Sequence, residues 1–186
     1  MKRLIIGIDE VGRGPLAGPV TVAAMIMPRR SLLRGIKDSK KLSAHQREEW
    51  FLKLKTSAYT VSSVGSKSID TFGISVAVRR AVGRCLKKLD IENKKVKILL
   101  DGALYAPRTY ENQETIIKGD EKVPIIAAAS IMAKVIRDRT MKRLHKKYPH
   151  YGFDLHKGYG TRAHQAAIRT HGLCDIHRKS FCRKLI

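Results

Sequence analysis

Short apolar runs alternate along the chain with longer stretches of helical periodicity, and this pattern predicts strands separated by helices. The predicted strands are Leu4–Ile8, Val20–Met27, Tyr59–Val64, Val96–Leu100 and Thr115–Lys118. The first two strands follow each other without room for a helix, whereas helices separate the later ones. We therefore expect an α/β fold with a mixed β-sheet flanked by helices.

Capping residues and helix breakers set the bounds of the predicted helices. Four helices are predicted: one capped by Ser43 and ending near Lys55, one capped by Asp70 or Thr71 and ending near Leu89, one running from Pro124 to about Tyr148, and a last one capped by Thr161 and ended by Gly172. The third is apolar in its first half and strongly basic in its second half. The fourth gives the chain a C-terminal helical segment.

Length and cysteine content narrow the class of protein. The chain of 186 residues fits one domain with a substantial core, so we expect a single domain over residues 1–186. Its three cysteines are widely spaced and lack a Cys-x-x-Cys pair, which argues against a disulfide framework and a thiolate zinc site. No stretch approaches the length of a membrane span. These features favour a cytoplasmic protein with reduced thiols and no membrane partner.

The charge balance points to a polyanionic partner. Lysine and arginine number 38 against 16 acidic residues, which gives a formal net charge of +22 spread along the whole chain. Binding a nucleic acid releases condensed counterions from its phosphates, and this accounts for so large a basic excess. An anionic membrane surface is the alternative, but no long amphipathic basic helix supports it.

Four carboxylates lie where predicted apolar strands end. Asp9 and Glu10 precede a glycine-rich break, Asp101 follows Leu100, and Asp120 follows the last predicted strand. Ligands in sheets of this class bind outside the carboxyl ends of strands, so these acids are candidates to converge on Mg²⁺ or Mn²⁺. Two such ions support metal-assisted phosphodiester hydrolysis. Asp9 and Glu10 are strand neighbours, however, and point to opposite faces unless the strand breaks.

Each of these acids also has a purely structural explanation. Asp9 suits a cap or turn, Asp101-Gly102 suits a turn, and Asp120 suits a solvated loop. Asp138 competes for the fourth metal position, but it lies between two arginines on a predicted helix, where a solvated ion pair explains it.

Several other segments are candidates for substrate contact. Gly12-Arg13-Gly14 allows close approach of a strand, with Arg13 as a forked donor. Lys40, ahead of the first predicted helix, suits either a phosphate contact or a solvated turn. Tyr159 suits either stacking on a sugar or base or a position in a core turn.

Four histidines lie in the C-terminal part of the chain, at positions 156, 164, 171 and 177. Without a companion cysteine pair, we expect them at the surface or on phosphates.

Together these motifs resemble bacterial ribonuclease HII, the type 2 ribonuclease H, over nearly the whole chain. The matching stretches are Gly7–Val20, Asp38–Leu42, Leu100–Gly102, Lys118–Asp120, Ala128–Val135 with Arg137-Asp138, and His156–Phe181. The resemblance implies a ribonuclease H-like fold. The sister type, ribonuclease HIII, normally carries an extra amino-terminal domain, for which we expect no room before Leu4.

The resemblance also implies an activity and its residues. The expected activity is endonucleolytic cleavage of the RNA strand in RNA/DNA hybrids, and 5′ to single ribonucleotides in duplex DNA, leaving 3′-hydroxyl and 5′-phosphate ends. Carried over position by position, the metal-binding catalytic carboxylates are Asp9, Glu10, Asp101 and Asp120, with Mn²⁺ or Mg²⁺ as the metal. The expected substrate-binding residues are Gly12, Arg13, Gly14, Lys40 and Tyr159, of which the first three sense the 2′-hydroxyl and Tyr159 packs on the adjoining deoxyribose.

Two other functions fit parts of this pattern. A basic RNA-binding protein without catalysis needs only the charge, and another nuclease of the same superfamily, such as a junction resolvase or integrase, needs only the acids. We expect a monomer that acts on hybrid or ribonucleotide-containing duplexes.

Overall fold

Five strands form one mixed β-sheet in the computed structural model, which describes residues 4–27, 33–36, 41–91 and 96–185. The strands are β1 (Leu4–Val11), β2 (Val20–Ile26), β3 (Tyr59–Val64), β4 (Val96–Asp101) and β5 (Gln113–Ile116). Their order is β3-β2-β1-β4-β5; β2 pairs antiparallel with β1 and β3, and β4 pairs parallel with β1 and β5. All five predicted strands are confirmed, with shifted ends. The predicted mixed sheet is confirmed as well.

Eight α-helices accompany the sheet in the described part of the chain. They are α1 (Ala44–Leu54), α2 (Ser66–Phe72), α3 (Ile74–Lys88), α4 (Gly119–Lys122), α5 (Pro124–Lys147), α6 (Phe153–His156), α7 (Arg162–His171) and α8 (Lys179–Cys182). A single 3₁₀ turn, Pro149–Tyr151, joins α5 to α6. None of the described helices is both long enough and apolar enough to cross a membrane.

The central strand β1 is covered on both faces. Ile6 and Ile8 are fully buried against α3, together with inward-facing residues of β2 and β4. The alternate residues of the sheet face α5 and α1, where Ala23, Met25 and Leu99 pack on Ile125 and its helical neighbours. Because side chains alternate along a strand, Asp9 belongs to the α5 face and Glu10 to the α3 face.

The predicted caps are confirmed at two helices and wrong at one. Ser43 and Gln46 form a reciprocal capping box at α1, and Thr161 accepts a hydrogen bond from the His164 N–H at α7. Asp70, by contrast, lies inside α2, and the stretch predicted as one helix is divided at Gly73, whose φ is 79°. Asp70 instead accepts hydrogen bonds from the N–H groups of Lys179 and Ser180 at the start of α8.

The C-terminal segment forms a third cluster beside the end of the sheet. Phe153, Ile168 and Cys182 are buried there with Ala17 from the β1–β2 connection. Ala17 also forms an isolated antiparallel bridge with His177. The tail is thereby packed against the connection that follows the first two acids. The helix expected to be last, α7, is followed by the short α8.

Candidate active site

Three of the four predicted acids meet at one end of the sheet. Asp9 lies near the end of β1 and Asp101 ends the neighbouring parallel strand β4, and the register of the two strands pairs Ile8 with Leu100 directly before these acids. Asp120 lies in α4, directly before α5. One carboxylate oxygen from each of the three acids lies within 4.8 Å of the others. Residues far apart in sequence are thus brought together where parallel strands end.

The position of Asp120 depends on the α4 backbone. The N–H groups of Gly119 and Asp120 donate to Asp101 Oδ1, at 2.6 and 3.3 Å. Lys118 has a φ of 56°, an unusual value for a residue with a side chain, and it turns the chain into α4. A Cβ on Gly119 would come within 2.6 Å of Ile126 Cδ1. Gly119 therefore allows the close approach of α4 to Asp101 and α5.

Burial makes the ionised form of Asp9 unfavourable. Its side chain is only 4% exposed. Burial raises the pKa of Asp9 well above the usual 3.8, and the negative charges of Glu10 and Asp101 raise it further. A hydrogen bond from Ser130 of α5 acts in the opposite direction. A divalent cation among these carboxylates would remove this penalty, because it supplies the missing positive charge.

Glu10 lies outside the group of three acids but beside it, because it lines the same cleft as Asp9 and Asp101 and interacts electrostatically with both. The strand does not break at Glu10, since β1 stays paired with β2 as far as Val11, so the side chain points to the other face of the sheet. Its Oε1 lies 3.5 Å from Arg13 Nη1, and Oε2 is buried without a hydrogen-bond partner among the described residues. Burial raises the pKa of Glu10, and Arg13 partly offsets this rise.

The four carboxylates fit a divalent metal site. Their hard oxygen donors are the kind that Mg²⁺ and Mn²⁺ prefer. Three of them are already within coordinating reach of one another, and the orphaned Glu10 Oε2 offers a further oxygen at the same end of the sheet.

A cleft of about 410 Å³ opens over these acids. Its lining combines three of the predicted acids with Tyr159 and two cations; the full set is Asp9, Glu10, Val11, Arg47, Asp101, Ser130, Lys134 and Tyr159. Asp120 lies behind the cleft and is 3% exposed. The sequence indicated no function for three of these residues, Arg47, Ser130 and Lys134. Two of them, Ser130 and Lys134, lie in the stretch Ala128–Val135, which is one of those that resemble the known family.

Tyr159 reaches the cleft from the C-terminal segment. Its backbone carbonyl accepts a hydrogen bond from His164 Nδ1 at 2.9 Å and another from the Thr161 N–H at 2.9 Å. The preceding Gly158 has a φ of 85°, and a Cβ there would lie 2.4 Å from the Ala17 carbonyl oxygen. The ring is 41% exposed and is therefore available to a ligand.

The Gly12-Arg13-Gly14 segment is held from below by a buried arginine. Arg178 is fully buried and donates to the carbonyls of Gly12 and Arg13, each at 2.7 Å, and to that of Gly18. Burial lowers the pKa of Arg178 to about 10. Its hydrogen bonds join the C-terminal segment to the loop after β1.

Arg137 makes the same kind of link from α5, so the ion pair expected for Asp138 forms with a lysine and not with this arginine. Arg137 is fully buried and donates to the carbonyls of Pro19 and Lys157, at 2.8 and 3.0 Å. Asp138 pairs instead with Lys134 at 3.0 Å, and Arg139 pairs with Glu48. Because the partners of Arg137 are distant backbone carbonyls, no local sequence pattern predicts its burial.

Two of the four histidines were wrongly expected at the surface. His164 and His177 are buried, and their Nε2 atoms lie 3.1 Å apart. Burial lowers the pKa of His164 to about 4, so this histidine is neutral at physiological pH. His156 stacks on His164, whereas His171 is exposed. The buried histidines support the Tyr159 turn rather than contact phosphates.

Lys40, the remaining predicted contact, lies outside the described residues. The neighbouring Lys41 is described and lies 3.8 Å from Glu121 of α4. Of the predicted substrate contacts, Arg13 in the loop after β1 and Tyr159 in the C-terminal segment therefore lie next to the acids. The contribution of Lys40 stays a prediction.

Comparison with known proteins gives consistent matches. A family model described as Ribonuclease HII matches residues 6–184. A ribonuclease HII of Coxiella burnetii is 47% identical over 180 residues, covering 96% of this chain and 88% of the relative. One from Caldicellulosiruptor bescii is 45% identical and covers 99% and 89%. The crystal structure of ribonuclease H2 from Pyrococcus horikoshii matches with a TM-score of 0.79 and 31% identity, covering 98% of this chain and 96% of that one.

Proposed function

Because this chain belongs to the ribonuclease HII family, whose members are metal-dependent endonucleases acting on RNA/DNA hybrids, we propose that Asp9, Glu10, Asp101 and Asp120 are its catalytic acids. The chain is a ribonuclease H that hydrolyses the RNA strand, including at single ribonucleotides in DNA, and leaves 3′-hydroxyl and 5′-phosphate ends. The observation that carries the assignment of the acids is the approach of three buried or half-buried carboxylates to within 4.8 Å.

The acids hold the metal, for which we propose Mg²⁺ or Mn²⁺. When bound, such ions lower the pKa of the attacking water and neutralise charge on the attacking and leaving oxygens. Asp9, Asp101 and Asp120 provide the clustered oxygens, and Glu10 provides one from the other face of β1. The Ser130 hydrogen bond and the α4 N–H groups hold Asp9 and Asp101 in place, so the carboxylates need little reorganisation.

The substrate contacts surround the acids. Arg13, next to Glu10, is placed to donate to the sugar or phosphate at the junction, and Gly12 and Gly14 keep the backbone beside it accessible. A 2′-hydroxyl recognised there distinguishes RNA from DNA. Tyr159, across the cleft, packs on the adjoining deoxyribose, while Arg47 and Lys134 attract the phosphate from the α1–α5 side. We include Lys40 as a further contact on the strength of the resemblance alone.

We further propose that the chain works as a cytoplasmic monomer with residues 1–186 forming one domain. A single sheet carries all the described strands, and the three cysteines are free thiols. Light scattering during size-exclusion chromatography checks the oligomeric state, because a monomer elutes with a mass near 20.9 kDa.

The activity and its acids are tested on a DNA duplex that carries one embedded ribonucleotide. The wild-type chain should nick the duplex on the 5′ side of that ribonucleotide in Mg²⁺ or Mn²⁺. This cleavage should stop when EDTA is added. Asp101→Asn should lower the cleavage rate by at least about 100-fold, since loss of an outer-shell partner alone typically costs 10–100-fold. Duplex binding should persist, because Asn removes negative charge.

The control variant is Asp138→Asn, an acid near the cleft that is paired with Lys134. It should retain most of the activity. Cleavage that survives chelation would contradict the proposal, and so would an Asp101→Asn variant that cuts at the wild-type rate. A chain that binds the duplex but never cuts it would instead be a basic binding protein.

A further inference from the structure

The catalytic cleft continues into a second cavity between α1 and α5. This cavity has a volume of about 390 Å³ and shares two residues with the cleft, Arg47 and Lys134. Lys142 and Lys157 add two further cations to its walls. The two acids in its walls, Glu48 and Asp138, are both in ion pairs with α5 cations. A negatively charged strand leaving the acids therefore meets basic walls on this side.

A third groove extends the same path along α5. It has a volume of about 510 Å³ and is lined by Ile136 and four cations, Arg139, Lys142, Arg143 and Lys146. Lys142 lines both this groove and the cavity before it, so the three depressions are neighbours along α5. No acid lies among the described residues that line this last groove.

Helical spacing explains the continuity of this path. Ser130, Lys134, Asp138, Lys142 and Lys146 follow one another at intervals of four residues, which forms a single ridge on the helix surface. The ridge begins at the hydrogen-bond partner of Asp9 and ends in the last turn of α5. From Ser130 to Lys146 the helix advances about 24 Å, at about 1.5 Å per residue.

We propose that this basic track, comprising Arg47, Lys134, Lys157, Lys142 and Lys146, binds the sugar-phosphate backbone of the duplex that flanks the cleavage site on one side. The inference rests on the proposed function and extends it. A length of about 24 Å corresponds to about seven nucleotides of one strand, at about 3.4 Å per nucleotide. Contacts to phosphates carry no sequence information, so the track affects affinity and register but not base preference.

The test uses Lys142→Gln combined with Lys146→Gln. Both side chains are exposed, and glutamine retains helix propensity, so the helix is expected to persist. The control is Lys88→Gln, another exposed lysine in the last turn of a helix, and its effect is compared with that of the double variant per charge removed. Lys88 ends α3, which covers the opposite face of the sheet. It removes charge without touching the track.

Binding is measured by fluorescence anisotropy in EDTA, on duplexes with one embedded ribonucleotide and DNA arms of about four or about twelve base pairs on either side. Lengthening the arm that lies along the track should increase the affinity of the wild-type chain for the duplex. The double variant should lose about tenfold or more in affinity for the long-arm duplex only, and the slope of log K against log salt should become shallower by about two. Lys88→Gln should match the wild type.

Cleavage of the short-arm duplex in Mg²⁺ separates this inference from the proposed function. The double variant should cut that duplex as fast as the wild type, which also shows that it is folded. If the double variant loses the same affinity for the short-arm and the long-arm duplexes, the proposed track is wrong. It is also wrong if Lys88→Gln loses as much affinity for the long-arm duplex as the double variant does. A wild-type chain that fails to cut the short-arm duplex would count against the proposed function instead.

Discussion

The carboxylate of Asp9 lies in an environment that disfavours its ionised form when no cation is bound. It is buried, it has Asp101 and Glu10 as negative neighbours, and hydrogen bonds from Ser130 and from the Glu10 N–H offset this only in part. Burying an unpaired carboxylate costs several kcal/mol, so such a residue is retained where a ligand supplies the opposite charge.

This environment predicts the effect of pH on the metal-free protein. A folded-state pKa above the ordinary 3.8 means that Asp9 favours folding at low pH and that this contribution is lost as the pH rises through the folded value. Asn mimics the protonated form. In EDTA, Asp9→Asn should therefore be more stable than the wild type at neutral pH, with the difference shrinking towards pH 4.

Chemical denaturation at several pH values measures this difference in free energy of unfolding. Saturating Mn²⁺ should reverse the order, because binding to the folded state stabilises the wild type by about 2.7 kcal/mol at a concentration 100 times Kd. An Asp9→Asn variant that is less stable than the wild type at neutral pH in EDTA would contradict the electrostatic account.

Gly12 is required by both its backbone and its surroundings. Its φ is 91°, and a Cβ there would lie 2.2 Å from Arg137 Nε. Gly12→Ala should destabilise the fold by about 1–2 kcal/mol or more, since the left-handed conformation alone costs that much for a residue with a Cβ. Gly14 has no heavy atom within 4 Å of the same position, so Gly14→Ala should stay within about 0.5 kcal/mol.

Thermal and denaturant unfolding of the two variants checks this contrast. Equal destabilisation would show that the loop is not held by the buried arginines as described. If Gly14→Ala impairs cleavage while the protein remains stable, the lost activity reflects a weakened contact with the substrate.

At the scale of elements, the sheet follows from local patterns. β1, β2 and β4 are largely apolar runs bounded by glycine, proline or charged residues, and their pairing needs only the alternation of side chains and the absence of a helix between the first two. The α5 boundaries follow from Pro124 at the first turn and basic residues in the last. These features could be predicted because each depends on residues close in sequence.

Other features were not foreseen, and most of them depend on residues far apart in sequence. The division of α2 from α3 at Gly73 interrupts a pattern that otherwise continues as one helix. Arg137 and Arg178 bind backbone carbonyls from the β1–β2 connection, which have no sequence signature. The relation of Glu10 to the other acids also required the structure, because it depends on where the strand ends.

Asp70 illustrates such a long-range role. It serves as the N-terminal hydrogen-bond acceptor for α8, more than 100 positions later in the chain. Asp70→Ala should destabilise the protein by about 1 kcal/mol, as loss of a helix cap does. Thr71→Ala, which removes a hydroxyl bonded only within its own helix, should stay within about 0.5 kcal/mol.

Limited proteolysis adds a second measurement for this pair. Asp70→Ala should release the C-terminal peptide faster than the wild type, because α8 loses its acceptor. Identical cleavage patterns for both variants would show that the Asp70 contact does not secure the tail.

At the scale of the whole molecule, the chain combines a broad basic surface with one concentrated acidic site. A net charge of +22 attracts a nucleic acid from any direction, while the three clustered carboxylates give the complex one place to react. The basic cleft walls and the track along α5 direct the strand past the acids. Long-range attraction and local chemistry thus come from opposite charges on one small fold.

The most direct test of the central claim is a Mn²⁺ titration of the wild-type chain by calorimetry, without nucleic acid, beside Asp101→Asn and Asp138→Asn. If distant carboxylates meet to hold a divalent cation, the wild type and Asp138→Asn should bind Mn²⁺ alike, and Asp101→Asn should lose most of the affinity. Unchanged binding in Asp101→Asn, or equal loss in both variants, would contradict the account.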